Sequence, residues 1–272
     1  MISRKSLLLL LVCCTGAQAQ TAGATFDCLI EPTQTIEVRS SVGGRIEKIP
    51  VRRGELVTKG QVLVTLESSA ERAAAESARY RAEAEGALEV AKTKLEYARK
   101  KWERRRDMHA ERLMSGQERD DAEGEMRAAA AELKLAEDNQ RVAALEAEEQ
   151  AALLTRRTIR APFGGVIADQ LLYAGEVIEP NDPKKPILKL AQLDPLRVHV
   201  ILPRTVFGKV KRGMRVTITP ELTTTKSVVG TVTLLDSLID AASGTFGVFL
   251  DVPNPDSAIP AGIKCRATLP IN

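Results

Sequence analysis

Residues 84–102 read AEGALEVAKTKLEYARKKW, and this stretch decides the fold. Its apolar positions fall at Ala84, Leu88, Ala91, Leu95, Ala98 and Trp102, in alternating steps of four and three. That rhythm is the inward-facing seam of a left-handed coiled coil. Around it, the segment from Ser68 to Arg157 is rich in Ala and Glu and contains no proline. Its only glycines are Gly86, Gly116 and Gly124. Further on, Ala122, Met126, Ala129, Leu133 and Ala136 repeat the same steps. Beyond Ala136 the apolar residues change phase, with Leu135, Val142, Leu145 and Ala152 taking over, which predicts one local change of supercoil. The two arms are divided at Leu113-Met114-Ser115-Gly116-Gln117-Glu118. There Ser115, with Glu118 three residues later, has the form of a capping box opening the second helix. So much alanine in the seam suits two closely packed antiparallel helices. Arms of roughly 40 residues would be about 60 Å long at 1.5 Å per residue. A rod of that length is expected to project.

Short β segments flank the hairpin, and the second set repeats the first. Before it stand Val42-Gly43-Gly44-Arg45-Ile46, Gly54-Glu55-Leu56-Val57 and Gly60-Gln61-Val62-Leu63-Val64-Thr65-Leu66. After it, Phe163-Gly164-Gly165-Val166-Ile167 and Gly175-Glu176-Val177-Ile178 answer the first two at one constant offset, which grows at Leu190 because Asn181 to Lys185 lengthens a turn. Neither half can bury a core alone, so the two are expected to close on one another as one β-sandwich. Thr25 to Val38 alternates apolar and polar residues and reads as one strand or two short ones. From Leu196 a second β domain follows. Its strands are expected at Leu196–Leu202, Arg215–Thr219, Val228–Leu235, Gly247–Val252 and Ile263–Leu269, with a short helix from Pro203 to near Val210. About six strands and one helix suggest a small closed barrel, which leaves no free edge.

Composition narrows the function. The 272-residue chain carries a net charge of +3, too small to argue for nucleic acid, and 3% aromatics leave little for bases to stack on. Residues 1–19 have the form of a secretory signal: Arg4 and Lys5, then an apolar run from Leu7 to Cys14, then Ala17-Gln18-Ala19 as a cleavage site. That run is too short to anchor the chain across a bilayer, and Val12 before Cys13 is a poor context for a lipidated cysteine. Removal of the signal leaves Cys28 and Cys265. In an oxidising compartment the two invite a disulfide, should the N-terminal strand lie beside Ile263–Leu269. The alternative is two buried thiols acting as small apolar residues.

Half-motif, helical hairpin, half-motif, barrel: this order resembles the periplasmic adaptor proteins, or membrane fusion proteins of the HlyD-like kind, of tripartite efflux and secretion systems. Three pieces carry the resemblance. The first is a split lipoyl-like domain, with Gly43-Gly44, Gly54 and Gly60-Gln61-Val62-Leu63 before the hairpin and Arg160-Ala161-Pro162-Phe163-Gly164-Gly165 after it. The second is Asp240-Ala241-Ala242-Ser243-Gly244-Thr245-Phe246 in the barrel. The third is the tip, where Arg104, Met108, Ser115, Asp120 and Ala122 match the family's spacing, with Met108 in place of the usual leucine. The resemblance implies an elongated α+β fold, an antiparallel coiled-coil hairpin inserted between two halves of a lipoyl-like β-sandwich and followed by a small β-barrel. Its divisions are a signal peptide at 1–19, a barrel domain from 20–38 and 195–272, a split lipoyl-like domain from 39–67 and 158–194, and a hairpin at 68–157. Many members carry a further membrane-proximal β domain. Too few residues lie outside the barrel strands here, so that domain is expected to be absent and the barrel itself to meet the transporter.

The resemblance also implies partners. The tip residues Arg104, Met108, Ser115 and Asp120 would dock on a TolC-like outer-membrane channel, and the barrel end on an inner-membrane transporter, of the resistance-nodulation-division (RND) type or an ATP-driven exporter, in a homo-oligomeric pump. No catalytic residue, cofactor or metal site is expected. His109 and His199 are the only histidines and lack ligand-spaced partners, no nucleophile has a base beside it, and Asp120-Asp121-Ala122-Glu123 reads as solvated coiled-coil surface. A lipoyl or biotinyl carrier subunit would need a lysine on the turn that the hairpin replaces. A purely structural envelope coiled coil would leave the repeated half-motifs and the barrel unexplained.

Overall fold

The computed structural model describes residues 23–179, 185–222 and 226–271. The expected signal peptide, with Cys13 and Cys14, lies outside them, as do residues 181–184 of the lengthened turn. In chain order the elements are β1 (Ala24–Val38), β2 (Gly44–Lys48), β3 (Leu56–Val57), β4 (Val62–Leu66), α1 (Ser69–Glu83), α2 (Gly86–Ala110), α3 (Gly116–Thr155), β5 (Thr158–Arg160), β6 (Gly165–Gln170), β7 (Val177–Ile178), β8 (Leu188–Pro203), β9 (Arg215–Pro220), β10 (Val228–Leu235), β11 (Thr245–Val252) and β12 (Ile263–Leu269). They divide into two units, one from residues through Thr35 together with Ala191 onward, the other from Ile36 to Leu190.

In the first unit six strands follow the order β1-β12-β9-β10-β11-β8, and β1 pairs back to β8, which closes the barrel. Period-two alternation sends Leu196, Val198, Val200 and Leu202 of β8 into the core, where Ile30, Ile218 and Leu250 meet them. Asn254 is the buried polar group of this unit among the described residues. Its amide donates to the carbonyls of Leu193 and Ile259 and its oxygen accepts from Ile259 N–H, so a loop with no strand partner is tied down. The helix expected from Pro203 to Val210 is a single 3-10 turn, Arg204–Val206. It stops because Phe207 turns extended and Gly208 takes a left-handed φ of 84°.

In the second unit each half-motif supplies strands to the other. One sheet runs β5-β4-β2-β7, and β3 pairs with β6. The repeated text has a repeated job. Glu55 accepts from Arg52 N–H at 2.9 Å, and Glu176 accepts from Tyr173 N–H at 2.8 Å, each carboxylate closing its own turn. Gly54 and Gly175 hold the corresponding left-handed positions, at φ 85° and 95°. Ile46 and Ile167, equivalent in the two halves, are both buried in the shared core.

The hairpin differs from the sequence reading in two ways. Its first arm is broken: α1 ends at Glu83, Ala84 is extended (φ −74°, ψ 107°), and α2 starts at Gly86. The inward positions of α1, at Glu71, Ala75, Ala78 and Ala82, are out of phase with those of α2, at Leu88, Ala91, Leu95 and Ala98. A non-helical link absorbs the mismatch, and Ala84 is an exposed linker residue instead of a seam residue. The return arm shows no change of phase. Its less exposed positions continue from Ala136 through Gln140, Ala143, Ala147, Gln150 and Leu154 in unbroken four-three steps, while Leu135, Val142, Leu145 and Ala152 stay exposed. At the base, Arg157 donates to the Gly43 carbonyl at 2.6 Å and pairs with Glu71, fixing the return arm to the sandwich.

Candidate functional site: the hairpin tip

The tip is made by two helix ends that cap themselves. At the end of α2, Leu113 N–H donates to the Met108 carbonyl and Arg112 N–H to the His109 carbonyl, both at 2.9 Å. This closure needs a left-handed residue at 112, a place usually taken by glycine. Arg112 takes it, at φ 61°. His109 Nδ1 donates to the Met114 carbonyl at 3.0 Å and holds the turn from inside.

At the start of α3 the predicted capping box is present. Ser115 Oγ accepts from Glu118 N–H at 3.2 Å, and the Glu118 carboxylate accepts from Ser115 N–H at 3.2 Å and from its hydroxyl at 2.8 Å. These bonds, the hydroxyl's foremost and with Arg105 nearby, hold the Glu118 carboxyl below its ordinary value of 4.5. Arg105 also reaches the Glu118 carbonyl at 3.2 Å, bracing one arm against the other.

Arg104 and Met108 are exposed on α2, and the Lys101–Glu125 ion pair sets Arg104 across from Asp121 and Ala122 on the facing arm. Ser115 spends its hydroxyl on the cap. Asp120 pairs with its neighbour Arg119 at 2.6 Å. Ala122 is fully buried in the seam. In the run Arg104-Arg105-Arg106, Arg105 braces the tip and Arg106 lies over Trp102 and pairs with Asp107. Arg104 has no hydrogen-bond or ion-pair partner among the described residues, and neither does the side chain of Arg112. The tip therefore presents two unpaired guanidinium groups beside two exposed apolar side chains, Met108 and Leu113. Arg112 and Leu113 escaped the sequence reading because a left-handed arginine carries no signal of its own.

The barrel motif proves to be a turn. Asp240 accepts from Ala242 N–H and from the Ser243 hydroxyl, both at 2.9 Å, and these bonds, the Ala242 one foremost, hold its carboxyl below the ordinary value of 3.8. Cys28 and Cys265 face one another in the β1–β12 register as a disulfide, with Cα atoms 4.8 Å apart. Among the described residues no cluster of His, Cys, Asp or Glu is placed to hold a metal ion, and no helix is long and apolar enough to cross a membrane.

The model of the CzcB-like barrel-sandwich hybrid domain matches residues 34–189. The cobalt-zinc-cadmium resistance protein CzcB of Cupriavidus metallidurans is 23% identical over 258 residues, which cover 92% of this chain and 46% of that protein. The pyoverdine export membrane fusion protein PvdR of Pseudomonas aeruginosa is 27% identical over 187 residues, 68% of this chain and 48% of its own. The chain thus spans about half the length of the curated relatives it matches. Among solved structures, MacA from Actinobacillus actinomycetemcomitans superposes with a TM-score of 0.73 at 21% identity, covering 91% of this chain and 78% of that one. The membrane fusion protein Spr0693 of Streptococcus pneumoniae does so at 0.61 and 15% identity, over 90% and 98%. At such identities the likeness concerns the fold, and the expected architecture of split sandwich, hairpin and barrel is borne out.

Proposed function

The chain belongs to the CzcB-like barrel-sandwich hybrid family, and from that premise we propose that it is the periplasmic adaptor subunit of a tripartite efflux pump. In this reading it is exported by the signal at residues 1–19 and works as a homo-oligomer, without catalysis of its own. The hairpin tip docks on a TolC-like outer-membrane channel, and the barrel unit engages an inner-membrane transporter of the RND type. Arg104 and Met108 make the docking contact, with Ser115 and Asp120 on the facing arm.

One observation carries the reading. Arg104 is left without a partner at a self-capped tip whose other arginines, Arg112 apart, are engaged. A guanidinium offers several donors in a fixed fork, suited to the carbonyls and carboxylates that another protein's helix ends display. The relatives named above are named for cobalt, zinc and cadmium in one case and for pyoverdine in another, so kinship points to export and to no single cargo.

The test is Arg104→Glu in cells that depend on the pump. Export is expected to be lost while helical content and thermal unfolding of the purified chain stay unchanged. Full export by an Arg104→Glu, Ser115→Arg double variant would overturn tip docking. Co-purification of an ATPase subunit in place of a proton-driven permease would move the proposal to its alternative, an ATP-driven exporter.

A further inference from the structure

Two loops close one end of the barrel: residues 207–214, between the 3-10 turn and β9, and residues 236–244, between β10 and β11. They meet where Arg204 N–H donates to the Gly244 carbonyl at 2.9 Å and the Phe207 ring stands edge-on to Phe246, with centroids 5.1 Å apart. β1 starts and β12 finishes at this same end, since Ala24 pairs with Leu269 and Thr217 of β9 with Thr268. Large apolar side chains are left outside here. Leu238 is 84% exposed, more than any other large apolar residue described, and its neighbour Ile239 and Phe207 are exposed with it. Ile201, exposed on β8, lines one cleft of the outer wall with Leu238. The charge around them is basic. Arg204, Lys209, Lys211, Arg212 and Arg215 are all exposed. Across residues 201–215 and 234–247 these five cations stand against Asp236 and Asp240, which leaves +3, as much as the whole chain carries. Of the two carboxylates, Asp240 is engaged within its own turn and Asp236 lies against Gly247 on the barrel wall.

We propose that this end of the barrel seats on the surface of a bilayer containing anionic phospholipid. Leu238, Ile239 and Phe207 enter the headgroup boundary, and the arginines and lysines around them meet lipid phosphates. Aliphatic side chains at a loop tip, ringed by cations, divide as the two faces of an interfacial helix do: the apolar groups leave water while the charges stay at headgroup level. The cations come from two loops and a strand rather than from one row, which suits the laterally mobile phosphates of a bilayer. The leader supplies a second observation. Its apolar run, Leu7 to Cys14, is joined to the barrel at this end, and ten positions separate Cys14 from Ala24. Fully extended, such a stretch reaches about 35 Å. A leader still attached and lodged in the bilayer therefore keeps this end of the barrel at the membrane surface. The lipid contact goes beyond the adaptor reading, and it is tested with neither channel nor transporter present, so its failure is separable from a failure of that reading.

The experiment floats a chain without residues 1–19 with vesicles of phosphatidylcholine, either alone or mixed with phosphatidylglycerol. Binding to the mixed vesicles is expected to exceed binding to the plain ones at least tenfold and to weaken as salt is raised. Leu238→Glu with Ile239→Glu is expected to lower it at least tenfold, and Lys209→Glu with Lys211→Glu likewise, with the thermal unfolding of both variants unchanged. Leu238→Trp is expected to show a blue shift in emission on addition of mixed vesicles. The parent, whose single tryptophan Trp102 lies in the hairpin, is expected to show none. A parent chain that stays unbound, binding untouched by the Leu238→Glu, Ile239→Glu change, or Leu238→Trp emission that does not move would each overturn the proposal. So would loss of a co-purifying membrane protein from the Leu238→Glu variant while the parent ignores vesicles, the outcome that assigns the patch to a protein partner.

Discussion

Arg112 sets local strain against display. A left-handed φ costs a residue with a Cβ about 1–2 kcal/mol, and glycine there would recover that while losing about 0.4–1 kcal/mol to its freer unfolded chain. The balance predicts that Arg112→Gly stabilises the hairpin by about 0.5 kcal/mol, read from the denaturation midpoint. If the guanidinium also serves docking, the same variant exports less, an outcome that loss of folding cannot explain. Gly44 makes the opposite argument. An added Cβ would come within 2.7 Å of the Arg157 guanidinium, at a φ of 152°. Gly44→Ala is therefore expected to cost about 1–3 kcal/mol through strain and a displaced anchor. Glu118 gives a pH dependence. Its folded carboxyl titrates below the ordinary value, so its share of stability is present above the unfolded pKa and is lost as pH falls through the folded one. The first turn of α3 should fray on acidification below about pH 4, and Glu118→Gln should flatten that dependence in the helical signal.

Among the elements, what was legible followed from rules that the chain obeys locally. The capping box at Ser115, the glycine-glutamate turns and the inward alternation of β8 each have a side chain whose type gives away its task. The hairpin's internal phasing was harder to read, for a physical reason. Alanine and glutamine fill much of its seam while leucine and valine stand outside, so the largest apolar residues pointed to a phase change that the packing does not have. The break at Ala84 was hidden likewise, because a step of four back from Leu88 lands on an alanine whether or not the chain is helical there. These alternatives differ in energy. Ala129 is almost fully buried where the arms are close, so Ala129→Leu should cost about 1–3 kcal/mol by overpacking. Leu145 is exposed on the back of α3, so Leu145→Ala should cost less than about 0.5 kcal/mol. Were Leu145 a seam residue, the loss would be about 2–5 kcal/mol. Urea midpoints of the two variants separate these cases.

At the scale of the whole chain, the barrel unit is assembled from two segments with the entire second unit inserted between them. Its first strand, β1, must find its last, β12, across nearly the full length of the sequence, and the entropy of that closure is the largest the fold has to overcome. The Cys28–Cys265 bridge sits on that pairing, with 237 residues separating its ends. Cys28 and Cys265 are the two cysteines outside residues 1–19, which already pointed to their pairing, but only the β1–β12 register shows why they meet. The chain-entropy model gives a closed loop of this length about 5 kcal/mol, an upper figure because measured gains are often smaller. A replacement that keeps the site small and apolar, Cys28→Ala with Cys265→Ala, should therefore lower stability by about 2–5 kcal/mol. For a chain of this size that corresponds to a fall in Tm on the order of 5–15 °C, at about 2–4 °C per kcal/mol. The chemistry is checked separately from the stability: a chain without residues 1–19, denatured and unreduced, should take up no alkylating reagent, and the same chain reduced should take up two equivalents. Uptake before reduction would show free thiols and remove the bridge from the account. An alanine pair as stable as the parent, with the bridge present in the parent, would place the cost of closing the barrel elsewhere, on the β1–β12 and β1–β8 ladders themselves.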